Sequence, residues 1–351
     1  MTDLPKGITA FIVTNPVNIF YLTSFKGVSP IERESILVLT PQKHLIAPRL
    51  YQAEAKSLET KDLEVHVAQE RDQMFKIIKK LLAGKKRVGF EQDNLKYSEY
   101  QELKKLLTRS LLVPYENFIE NLRIKKTAEE IKNIERAQII SQKAFGQLLK
   151  TIKTVQTETE IAEKLEKIIK SLGGQGLSFE TIVAVGRNSA KPHHLTGNKK
   201  LETGNTLLVD FGAKHNNYCA DITRTIFIGK PKDEQINIYK LVEKAQKKAI
   251  DAITHGFSAQ KAHDTAHSVF EAAKLHDNFL HGLGHGIGLE VHEAPHLRAS
   301  SYHVLEENMV FSIEPGLYFP SWGGVRIEDL VVIKNGRAKM LGKLQEEIIV
   351  L

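Results

Sequence analysis

The segment from His281 to Glu293 reads HGLGHGIGLEVHE and decides how the rest of the chain is interpreted. Glycine alternates with other residues through it, and three histidines fall within twelve positions. A phosphate-binding turn would show Gly-x-Gly-x-x-Gly between a strand and a helix, and the segment lacks that pattern. Glycines beside clustered histidines instead predict a loop held close to a reaction centre, where a Cβ would collide.

Acidic residues lie on both sides of this segment in sequence that is otherwise strand-like. Asp210 closes an apolar run, Asp221 and Glu328 lie within two others, and Glu314 ends a fourth run before Pro-Gly. Buried charge is costly unless something compensates it. Two divalent cations would balance four carboxylates, and the imidazole of His285 would complete the ligand set. The pattern therefore predicts a two-metal hydrolase centre.

The residues between Asp210 and Asp221 contain turn formers between two apolar runs. They predict a hairpin, in which opposed side chains lie roughly 5 Å apart and two carboxylates can share a metal. An aspartate capping a turn at each end of a loop explains this pair alone equally well. Because the donors are rich in carboxylate and poor in sulfur, Mn, Co, Fe or Zn would suit them, and a closed structural zinc site would not.

Composition sets the class of protein. The chain has 351 residues, enough for two domains, and a formal net charge of +7. Its lysines alternate with glutamates in helical segments, so we expect solvated faces rather than a surface for nucleic acid or membrane. The single cysteine, Cys219, excludes an internal disulfide and is interpreted as a small core residue. With no long apolar stretch and no signal-like N-terminus, the expected location is the cytoplasm.

The predicted elements change character near residue 122. Strand-like and helical runs alternate over residues 8–120, which indicates an α/β domain. Capping boxes then begin at Thr127 and Thr157 and predict two long helices. Further helices and strands mix without alternation. We therefore expect an α/β domain over residues 1–122 and an α+β domain over residues 123–351.

Several motifs in order and spacing resemble the metallopeptidase family M24, which contains aminopeptidase P, prolidase and methionine aminopeptidase. They are Asp210-Phe-Gly-Ala, Asp221-Ile-Thr-Arg-Thr, the segment 281–293, Glu314-Pro-Gly and Gly324-Val-Arg-Ile-Glu-Asp. The N-terminal part resembles the family's smaller domain, which methionine aminopeptidases lack. The resemblance implies a pita-bread catalytic domain behind a smaller creatinase-type α/β domain, and it implies the Xaa-Pro branch.

The resemblance also assigns roles to particular residues. It implies that Asp210 chelates one ion, that Asp221 and Glu328 bridge two, and that His285 and Glu314 complete the ligands. It further implies substrate-site positions, which are His193 and His292, with His281 and Arg326 in support. His193 fits the family spacing better than its neighbour His194. Relatives of this kind imply a homodimer, with manganese as the expected metal.

Chemistry suggests how such a centre would work. Two cations lower the pKa of a shared water, which can then attack the scissile carbonyl. Glu314 is placed to carry the proton to the leaving nitrogen, and His193 or His292 to stabilise the oxyanion. A proline nitrogen carries no hydrogen in a peptide bond, and an attack led by metals does not need one.

Two activities fit this branch, an aminopeptidase that removes the residue before proline and a dipeptidase that splits Xaa-Pro. A dipeptidase must recognise a free carboxylate, and prolidase relatives often carry an arginine directly after the proline that follows the Val-His-Glu sequence. Here Pro295 is followed by His296, with Arg298 two positions further on. The sequence therefore favours the aminopeptidase. A non-catalytic binding protein with the same fold is a third and remote hypothesis. All five predicted metal ligands are present, and a protein that does not catalyse a reaction would have no use for them.

Overall fold

The computed structural model of the protein describes residues 3–27, 33–342 and 347–351. The chain divides into two units, Met1–Leu122 and Arg123–Leu351. None of the helices in the described ranges has the length and apolar content that crossing a bilayer requires.

The first unit is a mixed sheet with helices on both faces. Its sheet has the order β4-β3-β2-β1-β5-β6, with β4 at one edge. The strands are β1 Ala10–Val13, β2 Ile36–Leu39, β3 Lys43–Pro48, β4 Leu63–Ala68, β5 Arg87–Glu91 and β6 Leu111–Tyr115. The helices are α1 Pro16–Thr23, α2 Gln52–Ser57, α3 Arg71–Leu81, α4 Tyr97–Leu106 and α5 Phe118–Arg123, the last of which ends one residue beyond the unit.

The central strands of this sheet are apolar on both faces because helices cover both. Ile12 and Val38 pack in one cluster with residues of α3 and α4. Phe11 and Leu37 point the opposite way into a second cluster. This two-sided burial explains why strands such as β1 and β2 read as continuous apolar runs rather than as alternating ones.

The second unit combines long helices with antiparallel sheets. Its helices are α6 Ala128–Leu149, α7 Glu158–Ser171, α8 Asp233–Ala252 and α9 Ala259–Ala272. The side chain of Thr127 accepts a hydrogen bond from the Glu130 amide, and the Glu130 carboxylate accepts one from the Thr127 amide. Thr157 and Glu160 repeat this arrangement at α7, so both predicted capping boxes are confirmed.

The strands of the second unit form several sheets. They are β7 Gly176–Leu177, β8 Ile182–Val185, β9 Thr206–Phe211, β10 Ala213–His215, β11 Tyr218–Cys219, β12 Ile222–Phe227, β13 Phe257–Ser258, β14 Gly284–Gly286, β15 Glu293–Leu297, β16 Val304–Leu305, β17 Val310–Ile313, β18 Gly316–Phe319, β19 Gly323–Arg326, β20 Asp329–Lys334, β21 Arg337–Met340 and β22 Ile349–Val350. The two larger sheets have the orders β22-β12-β9-β8 and β15-β14-β17-β20-β21.

Each larger sheet carries its own pair of helices. Helices α6 and α7 pack on β8, β9 and β12 in one apolar cluster. Helices α8 and α9 pack on β17 and β20 in another. The second unit is therefore α+β and built from two similar halves, which is the arrangement expected of a pita-bread domain. Strands of both halves, and the breaks and ends next to them, carry the acidic side chains described next.

Candidate metal centre

The five predicted ligands come from both halves of the second unit. Asp210 lies near the end of β9, His285 lies in the middle of β14, and Glu314 directly follows β17. Asp221 and Glu328 lie in short breaks immediately before β12 and β20. The prediction that these two acids lie within strands is therefore wrong by one position each. Because such a break is free of a regular ladder, its side chain can point into a cavity rather than into a sheet face.

The predicted hairpin between Asp210 and Asp221 is only partly right. Strands β9 and β12 do pair antiparallel, but the residue opposite Asp210 is Thr223. The residues between the two aspartates form β10 and β11, which pair with each other in a separate sheet. Asp221 therefore approaches Asp210 from a break outside the β9–β12 ladder.

All nine residues predicted for the site line one cavity of about 470 Å³. They are Asp210, Asp221, His285, Glu314 and Glu328 with His193, His281, His292 and Arg326. Phe179, Ile182 and Val291 add apolar wall, and His296 and Arg298 also line the cavity. The structure thus brings together side chains that span well over a hundred positions of sequence.

Donor atoms at the bottom of this cavity converge. The Nε2 atom of His285 lies 3.3 Å from Oε1 of Glu314 and 3.7 Å from Oδ2 of Asp221. Donor atoms of Asp221, His285 and Glu328 all lie within 4.8 Å of one another. Three carboxylate oxygens there are buried without a hydrogen-bond partner among the described residues, namely Asp210 Oδ1, Asp221 Oδ1 and Glu328 Oε1. Oxygen atoms of this kind fit divalent cations.

The electrostatics of the cavity point the same way. Burial and the neighbouring carboxylates raise the pKa values of Asp221 and Glu328 well above their usual range. Burial also acts to raise the pKa of Glu314, but the hydrogen bond and charge of His285 outweigh it and lower that pKa to about 2. The negative charges of these neighbouring carboxylates are therefore only partly offset by the basic side chains of the cavity.

Arg326 connects two of the acids. Its guanidinium donates to Oδ2 of Asp210 and, through Nε, to the hydroxyl of Thr223 at 3.1 Å. That hydroxyl in turn donates to Oε2 of Glu328 at 2.6 Å. One side of each carboxylate is thereby fixed by hydrogen bonds, and the unpartnered oxygen is on the other.

Tyr318 continues this network and was not predicted. Its hydroxyl accepts from Arg326 at 2.9 Å and lies 2.7 Å from Nε2 of His281. The Nδ1 atom of His281 faces the Gly282 carbonyl at 2.7 Å and must donate to it, so Nε2 accepts from Tyr318. Burial lowers the pKa of His281, which agrees with a neutral ring. The only feature of the sequence that could have indicated Tyr318 is its position in β18, the strand that begins at the glycine of Glu314-Pro-Gly.

The neighbouring histidines 193 and 194 have different surroundings. His193 lines the cavity, whereas Nε2 of His194 lies 2.9 Å from the buried carboxylate of Glu158. The ring of His292 lies 4.4 Å from the ring of His285, centre to centre. Burial and the charge of His285 lower the pKa of His292. His193 and His292 therefore reach the cavity, and His194 supports the loop.

The glycines of the segment 281–293 are required for a reason other than the predicted one. A Cβ at Gly284 would lie 2.0 Å from the carbonyl oxygen of Ser312, and one at Gly286 would lie 2.1 Å from that of Ala294. The crowding is therefore with the backbones of neighbouring strands, β17 and β15, rather than with the reaction centre. It presses β14 between them and fixes the position of His285.

Comparison with known proteins agrees with this geometry. The pattern of Metallopeptidase family M24 matches residues 132–335, and that of the Creatinase/Prolidase N-terminal domain matches residues 5–125. The chain belongs to metallopeptidase family M24. The M24 assignment and the fold expected from the resemblance, a pita-bread catalytic domain preceded by a creatinase-type domain, are both confirmed.

Relatives of this M24 peptidase match along nearly its whole length. It is 37% identical over 344 residues to the "Xaa-Pro dipeptidase" of Pyrococcus furiosus, covering 98% of this chain and 96% of that one. A solved "Xaa-Pro dipeptidase from Bacillus anthracis" superposes with a TM-score of 0.93 at 33% identity, covering 98% and 96%. A solved "X-Pro aminopeptidase from Thermotoga maritima MSB8" does so with 0.90 at 33% identity, covering 98% of each chain.

Proposed function

We propose that this M24 peptidase is an Xaa-Pro dipeptidase. The observation that carries the proposal is the position of Arg298, which lines the same cavity as the candidate metal ligands. Two of the three relatives described above are named dipeptidases, which supports the same conclusion. The activity that the sequence favoured, an aminopeptidase, thus becomes the second candidate.

Arg298 supplies the cation that a dipeptidase needs in its substrate cavity. A dipeptide ends in a free carboxylate, and a guanidinium binds a carboxylate through two parallel hydrogen bonds. The sequence favoured the aminopeptidase because His296, and not an arginine, follows Pro295 directly, with Arg298 two positions further on. Both His296 and Arg298 line the cavity, and Arg298 is exposed to solvent. Its side chain is thus free to bind the carboxylate of a substrate.

Five residues would hold two divalent cations, as the resemblance implies. They are Asp210, Asp221, His285, Glu314 and Glu328. Their fit rests on the three buried oxygen atoms that lack a partner among the described residues and on the crowding of carboxylates. When bound, such cations supply an activated water and polarise the scissile carbonyl. Carboxylate-rich ligands suit manganese, and cobalt, iron or zinc remain alternatives.

The chain's own groups perform the remaining tasks. The carboxylate of Glu314 is held by the Ser312 hydroxyl at 3.1 Å and faces His285, so it is placed to accept a proton and pass it to the leaving nitrogen. His193 and His292 are exposed at the cavity wall, where they can donate to the oxyanion. Arg326 positions Asp210 directly and Glu328 through Thr223, and His281 supports Arg326 through the Tyr318 hydroxyl, so both support the substrate site.

One observation favours the aminopeptidase. A second depression of about 550 Å³ shares Phe179, Ile182 and His193 with the cavity and continues beside it. A peptide longer than two residues could extend into this depression. An exopeptidase that accepts a tripeptide would use both.

A comparison of Ala-Pro with Ala-Pro-Ala tests the proposal. With Mn²⁺ added, the protein should cleave Ala-Pro with the higher kcat/KM. The Arg298→Gln substitution should reduce kcat/KM for Ala-Pro by about 10- to 100-fold, because the free energy of a hydrogen bond between charged groups corresponds to a factor of that size. The kcat/KM for Ala-Pro-Ala should stay nearly unchanged. Arg136→Gln, an exposed arginine outside the cavity, is the matched control. Preference for the tripeptide would establish the aminopeptidase instead.

We further propose a cytoplasmic location and a homodimer. The single cysteine, Cys219, is buried, and burial raises its pKa to about 11, so it is an unreactive core thiol that suits a reducing compartment. Light scattering on the purified protein measures the dimer directly.

A further inference from the structure

A second group of metal-binding side chains lies in the first unit. His44 belongs to β3, and Glu64 and His66 belong to β4, the edge strand of the sheet. The two strands are parallel, and His44 is directly opposite Glu64. Glu64 and His66 are two positions apart, so their side chains share a face of β4. The backbone register therefore brings all three side chains together at one edge.

Distances among the three side chains suit a tetrahedral ion. Nδ1 of His44 lies 3.2 Å from Nε2 of His66 and 3.2 Å from Oε2 of Glu64. Nε2 of His66 lies 3.7 Å from Oε1 of Glu64. Ligands about 2.0–2.2 Å from a tetrahedral zinc are roughly 3.3 Å apart, so the two ring nitrogens and the two carboxylate oxygens already have separations near those of such a site.

The hydrogen bond of His44 to Thr40 leaves the correct ring nitrogen available. The Thr40 hydroxyl donates to the Gln42 carbonyl at 2.8 Å, so it can only accept from Nε2 of His44, 3.1 Å away. A neutral His44 therefore has its lone pair on Nδ1, which faces the other two donors. Metal-binding histidines are commonly oriented by such a bond from the remote nitrogen.

Burial of the three residues also fits a metal site. His44 is buried, His66 is half-buried, and Glu64 is exposed. Burial lowers the pKa of His66, a shift in the direction of the neutral form that binds metal. The exposed side of the group leaves room for a water as fourth ligand.

We propose that His44, Glu64 and His66 form a zinc site that ties the edge strand β4 to β3. Two imidazoles and one carboxylate favour Zn²⁺ over Mn²⁺, which prefers the carboxylate-rich centre of the second unit. Without an ion, one of the two facing ring nitrogens must carry a proton and donate it to the other in a hydrogen bond. Zinc would take the place of that proton. The site shares no residue with the candidate metal centre of the second unit, and its existence does not depend on which peptide that centre cleaves.

Zinc content of the full-length protein tests the site. Wild type, Glu64→Gln, His66→Gln and the control Glu59→Gln are equilibrated with Mn²⁺ and Zn²⁺, desalted and analysed by mass spectrometry of the metals. Glu59 pairs with Lys56 and is not among the three donors, so its substitution changes charge nearby without removing a ligand. We expect wild type and Glu59→Gln each to bind one more zinc ion per chain than Glu64→Gln and His66→Gln do. Equal zinc in all four proteins would overturn the proposal.

Hydrogen exchange gives an independent result. Zinc should slow exchange of the amides of β4 in wild type and not in Glu64→Gln. Because Glu64 is exposed, that variant is expected to fold even if His66→Gln does not. Exchange in β4 that is unaffected by zinc in the wild-type protein would contradict the role of the ion in holding the edge strand.

Discussion

The described residues contain one cluster of metal-binding donors in each unit, and the two clusters differ in how their charge is balanced. Asp221 and Glu328 are buried beside His285, and each keeps a carboxylate oxygen without a partner. Glu64 is exposed, and the imidazoles of His44 and His66 already face each other and Glu64. The cluster of the second unit carries excess negative charge in a buried cavity, whereas the cluster of the first unit has one exposed carboxylate among its three donors.

This difference teaches what a bound ion does for each cluster. Carboxylates that are crowded and desolvated repel one another, so bound cations are needed to relieve them. Neutral imidazoles at a sheet edge can satisfy each other with a proton, so an ion there adds stability without being required. Peptidase activity should therefore depend on the cluster of the second unit. The cluster of the first unit should affect only local order.

The largest effect is expected from Asp221→Asn. This change keeps the shape of the side chain and removes one negative charge from the proposed metal ligands, so it should lower the metal content and reduce kcat/KM for Ala-Pro by roughly 10³-fold or more, beyond the loss of a single oxyanion donor. Asp277→Asn, whose side chain is 95% exposed, is the control and should retain full activity. An Asp221→Asn protein that keeps both its metal and its activity would remove Asp221 from the centre.

The second-largest effect is expected at Glu293, a buried acid whose charge is balanced by basic side chains of the protein. Glu293 accepts hydrogen bonds from Arg123 and, at 2.8 Å, from Lys126. Glu293→Gln should lower the free energy of unfolding by about 3–5 kcal/mol, because it removes the buried carboxylate that balances the buried charges of Lys126 and Arg123. Glu290 pairs with the same arginine but is 42% exposed, so Glu290→Gln should cost at most about 1 kcal/mol. Urea unfolding measures both, and equal losses would contradict this.

The pH dependence of that stability follows from the same pair. Burial acts to raise the pKa of Glu293, but Lys126 and Arg123 outweigh it and lower the pKa. Its contribution is therefore present above the unfolded pKa, about 4.3, and is lost as the pH falls through the folded value. Burial acts to lower the pKa of both cations; it lowers that of Lys126, whereas the two glutamates outweigh it and raise that of Arg123. As the pH falls below about 4.3 and through the folded pKa of Glu293, the difference in stability between wild type and Glu293→Gln should shrink.

A smaller effect is expected from Tyr318→Phe. The change removes the hydroxyl between His281 and Arg326 and keeps the buried ring, so the fold should survive. Loss of such a supporting group should weaken metal binding by about 10- to 100-fold. Metal titration measures this, with exposed Tyr302→Phe as control. A fall in melting temperature without a change in metal affinity would assign Tyr318 a structural role only.

The smallest effect on activity is expected from Glu64→Gln. Because Glu64 belongs to the exposed cluster of the first unit, kcat/KM for Ala-Pro should stay within about twofold of wild type, as for an ordinary surface substitution. Steady-state kinetics checks this in the same preparations used for zinc analysis. A large loss of activity would show that the two clusters are not independent.

Residue type and local spacing were enough to predict much of this molecule. The capping boxes at Thr127 and Thr157 are local signals, and the structure confirms both. The acids around the segment 281–293 could be singled out because charge in apolar sequence is rare. Tyr318 could not, because a tyrosine in a strand is ordinary until its hydroxyl is seen between His281 and Arg326.

The sequence by itself determined the chemistry, which is a set of carboxylates and histidines in an M24 peptidase. Tertiary structure alone decided the geometry, because register and strand breaks depend on pairing between distant segments. It placed Thr223 rather than Asp221 opposite Asp210 and brought Arg298 to the cavity. It also brought together His44 and His66, which lie on different strands and meet only through the parallel register of β3 and β4.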